Sequence, residues 1–247
     1  FNPRPVDQQI KQDPDPYYRV FDLTADPYND AMGAYHHKLV GGYHPAKMEI
    51  YQDLITHQLS GGKMNAEVLN MLNTKYLIYS AGQNQPAIQP NPNACGNAWF
   101  VPAVKLVRNA DEAMLSLNAG NFGDTAQVAN PFRAKDVAVV LQPHWKQKTT
   151  TFQQDSSASI RLTKYGLNAL SFESTNSFEG FAVFADIYYP LGWKAFVEGN
   201  ETEIIKTDYV VGGLYLPAGK HTIEFKFHPD IYYRWGTPSL ISSVLIL

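Results

Sequence analysis

Thr222-Ile-Glu-Phe-Lys-Phe-His228 alternates without a break. Ile223, Phe225 and Phe227 fall on one side and Thr222, Glu224, Lys226 and His228 on the other, because successive side chains of a strand point to opposite faces. The stretch reads as a β-strand with one buried face. The same period recurs upstream. Phe181, Val183, Ala185 and Ile187 share one face of a longer strand, and residues 137–141, 159–163 and 169–173 read as shorter ones. Tyr165-Gly166, Pro190-Leu-Gly192, Gly199-Asn200 and Pro217-Ala-Gly219 mark turns between them. Roughly seven or eight short strands at this spacing predict an antiparallel β-sandwich, jelly-roll-like, over residues 134–234.

Before residue 134 the pattern is mixed. Residues 1–16 are Pro- and Asp-rich and read as an extended lead-in, followed by a strand over 18–23. Pro45 is placed to open a helix along which Met48, Tyr51, Leu54, Ile55 and Leu59 recur at helical spacing, and Gly61-Gly62 stops it. Asn65 is a cap for a second helix carrying Val68, Leu69 and Leu72. Strands are expected over 75–79 and 99–107, and a helix over 111–117. The predicted class is therefore α+β, with a mixed α/β domain over residues 1–133 and the sandwich after it.

Composition narrows the function. Of 247 residues 45% are hydrophobic, enough for a proper core, and only 17% are charged. The net charge of −3 is evenly spread, with no basic stripe, which argues against nucleic acid as a partner. The single Cys95 excludes an internal disulfide framework and a multi-Cys zinc site. The chain contains no nucleophile elbow, P-loop or dinucleotide fingerprint, and nothing in it calls for a cofactor.

The conspicuous local stretch is Tyr35-His-His-Lys-Leu-Val-Gly-Gly-Tyr-His-Pro-Ala-Lys47. A glycine pair lets backbone approach a ligand, and cationic and phenolic groups suit a phosphate or a sugar. His37, Lys38, Tyr43, His44 and Lys47 are the expected contacts. The alternative is a tight turn with polar surface residues. A metal site from His36, His37, His44 and His57 lacks the helical His spacing of a zinc motif. Asp22, Asp26 and Asp30 read as turn formers, and the aromatics of 186–194 either stack on sugar or fill the core and rim.

Several of these segments resemble the extracytoplasmic C-terminal region of YfhO-like bacterial membrane proteins, especially those of Bacteroidetes. They are Arg19-Val-Phe-Asp-Leu23, the stretch from Tyr35 to Lys47, Tyr51-Gln-Asp-Leu-Ile55, Val68-Leu-Asn-Met-Leu-Asn-Thr-Lys-Tyr76 and Gly96-Asn-Ala-Trp-Phe100. Ile187-Tyr-Tyr-Pro-Leu-Gly-Trp-Lys-Ala195 and Leu216-Pro-Ala-Gly-Lys-His-Thr-Ile-Glu-Phe225 continue it. The resemblance implies a polytopic parent akin to glycosyltransferases that use a polyprenyl-phosphate sugar donor. It implies an outward-facing location on the periplasmic side, anchored in the inner membrane by flanking helices, and a partner that is a glycan or a lipid-linked sugar. The acidic catalytic residues it implies belong to an early loop of the membrane part, so none is assigned here. The competing expectations are a non-catalytic carbohydrate-binding or adhesion module and a structural domain of a membrane protein. Residues 235–247 contain no charge, and six of the last nine are Leu, Ile or Val. They read as the start of a transmembrane helix or the linker to one, or as a buried terminal element.

Overall fold

The alternation around Phe225 is realised in the computed structural model, which describes residues 2–82, 85–122, 128, 130–235, 238 and 242. The first part comprises α1 (Pro5–Ile10), β1 (Arg19–Asp22), α2 (Glu49–Leu54), α3 (Ala66–Met71), β2 (Thr74–Ala81) and β3 (Gln85–Pro90). A π-helical turn, Ile55–Leu59, prolongs α2. Next come β4 (Ala98–Val101), β5 (Ala103–Val107), α4 (Ala110–Ser116) and β6 (Val137–Leu141). After a short 3-10 turn, Gln142–His144, come β7 (Ser159–Gly166), β8 (Ala169–Asn176), β9 (Gly180–Ile187), β10 (Trp193–Val197) and β11 (Asn200–Thr202). Then follow β12 (Ile205–Thr207), β13 (Val211–Leu216) and β14 (Gly219–Phe227), and residues 230–235 are helical.

Two sheets face one another. One has the order β11-β10-β14-β8-β7 and the other β4-β9-β13-β12-β6-β5. Between them Leu170, Phe172, Ile223 and Phe225 from the first meet Ala182, Phe184, Leu214 and Leu216 from the second. The rings of Phe172, Phe184 and Phe225 pack edge-to-face with centroids 4.8–5.9 Å apart, a favoured aromatic geometry. The α+β class with a β-sandwich is thus realised.

The six-stranded sheet is a middle layer. Its other face, with Phe181, Val183, Ala185 and Val211, packs against Leu54, Leu69, Leu72 and Met114 of the helical layer. Strand β9 is buried on both faces, which is why Gly-Phe-Ala-Val-Phe-Ala reads as a nearly continuous apolar run. The core extends from Phe21 to Val211, and β5 and β6, on either side of residue 133, pair in parallel. The packing therefore runs across residue 133.

Three sequence expectations are corrected. The lead-in is helical over α1, because Pro5 pre-sets the first turn and the Asp7 carboxylate accepts the Arg4 N–H at 2.8 Å. Its Val6 and Ile10 dock on Val20 and Ile78 of a third sheet, β1-β2-β3. The helix expected from Pro45 opens only at Glu49, after a turn. The strand expected over 99–107 divides at Pro102, and its halves pair with β9 and β6 at opposite ends of the sheet order. One chain segment thus closes the sheet on itself. The apolar run after Trp235 lies mostly outside the described residues.

Candidate functional site

The loop from Tyr35 to Lys47 owes its glycine pair to packing. A Cβ on Gly41 would lie 1.8 Å from the Pro27 carbonyl oxygen, and Gly42 has φ +95° and donates its N–H to that oxygen at 2.6 Å. His37 points inward, its Nε2 2.9 Å from Asp7 Oδ1. Arg4 grips the same carboxylate through Nε and NH2, both at 2.9 Å, and reaches Asp22 at 2.7 Å. Burial alone would raise the Asp7 carboxyl, but the Arg4 side chain and N–H together with His37 hold it well below the usual range. Burial pushes the His37 imidazole down, against the pull of Asp7.

Lys38 lies over two stacked rings, 5.2 Å from the Tyr17 centroid and 4.4 Å from that of Tyr165. It donates to the Pro16 carbonyl at 3.2 Å, and Tyr17 donates its hydroxyl to Asp186. Burial raises the Asp186 carboxyl despite Tyr17, Arg19 and Lys38. Lys38 therefore sits at the seam between the N-terminal segment and the sandwich. Tyr43 and His44 face outward, His44 Nδ1 accepting the Ala46 N–H at 3.1 Å, and Lys47 is half-buried. The loop thus divides: His37 and Lys38 are engaged within the fold, and Tyr43, His44 and Lys47 line its outer side. Asp22, Asp26 and Asp30 each accept backbone N–H groups two residues on, as turn formers do. Cys95 is buried, which pushes its thiol up to about 12, so it is not a ready nucleophile.

An open cleft of about 410 Å³ lies elsewhere, where β4 meets the start of β7 and the loops 152–158 and 176–180. Phe100 and Phe178 supply aromatic surface, Phe178 being 39% exposed. Gly180 brings the start of β9 beneath the Phe100 ring, where a Cβ would come within 3.1 Å. Lys135, Asp136, Gln154, Asp155 and Glu179 add polar groups. Asp155 accepts from the Ser157 hydroxyl at 2.6 Å and from the N–H groups of Ser157 and Ser177 at 2.8 and 2.7 Å. These bonds hold its carboxyl well below the usual range and tie the 153–157 loop to the β8–β9 turn. Asn176 is buried at the cleft, donating to the carbonyls of Phe178 and Pro217 at 2.5 and 2.8 Å, while its Oδ1 has no partner among the described residues. Glu179 accepts the Tyr215 hydroxyl.

Aromatic faces beside fixed carboxylates and amides are suited to a polyhydroxylated ligand, with hydroxyl groups donating to the carboxylates and C–H faces lying on the rings. Sequence reading missed this cleft, because it draws on residues 98–102, 135–136, 152–160 and 176–180, and no single segment carries a motif. The local signal was weak: Gln153 to Ser159 reads only as a polar loop. Among the described residues no group of three or more His, Cys, Asp or Glu side chains is placed to hold a metal ion, and no helix is long and apolar enough to cross a membrane. Comparisons with protein-family models, with curated proteins and with solved structures find no match to the chain.

Proposed function

We propose that the chain is the glycan-contacting extracytoplasmic region of a cell-envelope membrane protein, holding an acceptor glycan or a lipid-linked sugar in the cleft between β4 and β7. The observation that carries this reading is the cleft itself, in which Phe100 and Phe178 stand beside Asp155, Gln154 and Glu179. The likeness of seven sequence segments to YfhO-like regions supplies the context: a parent akin to polyprenyl-phosphate-sugar glycosyltransferases, on the periplasmic face of the inner membrane. In this reading the chain binds and positions the sugar, and bond-making belongs to the membrane part.

The test is a screen of the purified chain against envelope oligosaccharides, followed by calorimetric titration of any ligand found. Phe178→Ala and Asp155→Asn should each weaken binding about tenfold, the order of one stacking or charge-assisted contact. A screen without a binder, or a binder indifferent to both substitutions, rejects the reading.

A further inference from the structure

The opposite end of the sandwich has a different character. The cleft lies where β7 and β9 begin and β8 ends. At the other end of these same strands lie the β7–β8 turn, residues 188–193 and residues 227–235. With about 3.3 Å per residue, the eight residues of β9 set the two ends roughly 25 Å apart. Hydrogen bonds knit this far end together: the Phe227 N–H donates to the Asn168 carbonyl at 2.9 Å and the His228 N–H to that of Gly192 at 2.7 Å. Phe227 stacks on Tyr189 and meets Trp193 edge-on, and a Cβ on Gly192 would collide with its ring at 2.2 Å.

Large apolar side chains project from this end. Leu167 is 88% exposed, Leu191 63%, Tyr232 71% and Trp235 67%. Exposed groups of this size on one surface mark an interaction site, and Tyr and Trp beside Leu are the residues that favour the level where lipid headgroups meet acyl chains. The charge fits as well. In a chain of net charge −3, Lys194 pairs with Asp230 at 3.0 Å and Lys226 with Glu224 at 2.8 Å at this end, which leaves Lys164 and Arg234 as cations with no carboxylate partner among the described residues. The charge-free run from Trp235 onward continues directly from it.

We propose that this end of the sandwich docks on an anionic bilayer, with Leu167, Leu191, Tyr232 and Trp235 entering the headgroup layer and the basic rim facing lipid phosphates. The cleft then points away from the bilayer. The inference rests on the membrane-face reading, which fractionation of the native full-length protein tests separately, and it is independent of whether the cleft binds glycan.

The experiment is co-sedimentation of the 247-residue chain with vesicles of phosphatidylcholine alone or with about 30 mol% phosphatidylglycerol. The chain should pellet with the anionic vesicles, and Leu167→Ser combined with Leu191→Ser should weaken this about tenfold. Both leucines are exposed, so the melting temperature should not move. The proposal is overturned if the chain does not pellet, if it pellets equally with phosphatidylcholine alone, or if the double variant pellets like the parent. A concentration-dependent dimer that the two substitutions abolish, without vesicle binding, assigns the surface to a second copy and overturns it too.

Discussion

The Tyr35–Lys47 loop and the β4–β7 cleft contain similar kinds of side chain in opposite circumstances. In the loop, His37 meets a buried carboxylate, Lys38 covers two tyrosines, and the glycine pair accommodates Pro27. In the cleft, Asp155 is pinned by local bonds yet faces open space with Gln154 and Phe178. Chemical conspicuousness in a sequence measures how many bonds a segment can make, not whether they are left for a ligand. A buried polar group must be paired within the fold, so dense polar motifs near a core tend to be absorbed by it.

Disturbing the loop where it is packed should have the largest effect. Gly41→Ala places a methyl group against the Pro27 carbonyl oxygen, a backbone atom that cannot step aside cheaply. We expect a loss of about 3 kcal/mol or more, read as a fall in the denaturation midpoint. A near-normal midpoint would show that the loop is loosely held.

Asp7→Asn comes next. It removes the carboxylate that Arg4 and His37 share, and because the Arg4 side chain is partly exposed the expected loss is about 2 kcal/mol. The sign of the pH effect follows from the shifts. The Asp7 carboxyl is depressed, so its contribution is complete above the ordinary carboxylate value near 4 and is lost progressively as pH falls below it, toward the depressed value in the fold. His37 is also depressed, so protonation below about 6.5 works in the same direction. Below about pH 4 the stability of the variant should therefore fall less steeply than that of the parent, while the His37 step below about 6.5 should persist or deepen, because the imidazolium loses its carboxylate partner.

Asp208 offers the converse. It is fully buried between β12 and β13, where Oδ1 accepts the Val139 N–H at 2.6 Å and Oδ2 has no partner among the described residues. Burial raises this carboxyl to about 7. A raised acid favours the fold while neutral, so its contribution is complete below about 4 and is lost as pH rises toward 7. Asp208→Asn should flatten that slope and stabilise the protein by about 1–2 kcal/mol at pH 8. An unchanged pH profile would mean that the carboxylate is charged and solvated in the fold.

The smallest stability effect belongs to the cleft. Phe178→Ala removes a partly exposed ring, so stability should change by less than about 1 kcal/mol even as glycan affinity falls. A large loss of stability would make Phe178 a core residue and would weaken the case for the cleft.

Legibility followed the range of the interactions. The sandwich strands were readable because alternation is local: Ile223 and Phe225 face inward on the period alone. Asn65 was readable as a cap, and it accepts the N–H groups of Glu67 and Val68. Helix α1 was not readable, because six residues are too few to show a period and its place depends on Val20 and Ile78 far along the chain. The closure of the sheet through Pro102 was hidden in the same way. One apolar stretch feeds two partners, and only β9 and β6 reveal which half goes where. The cleft is the extreme case, since its lining exists only after four segments have been brought together.

Hydrogen–deuterium exchange with and without a bound envelope oligosaccharide reads the cleft and the loop side by side. Exchange should slow over residues 152–160 and 176–180, with residues 35–47 unchanged. Protection over residues 43–47, with none at the cleft, would place the ligand on the outer side of the loop and contradict it.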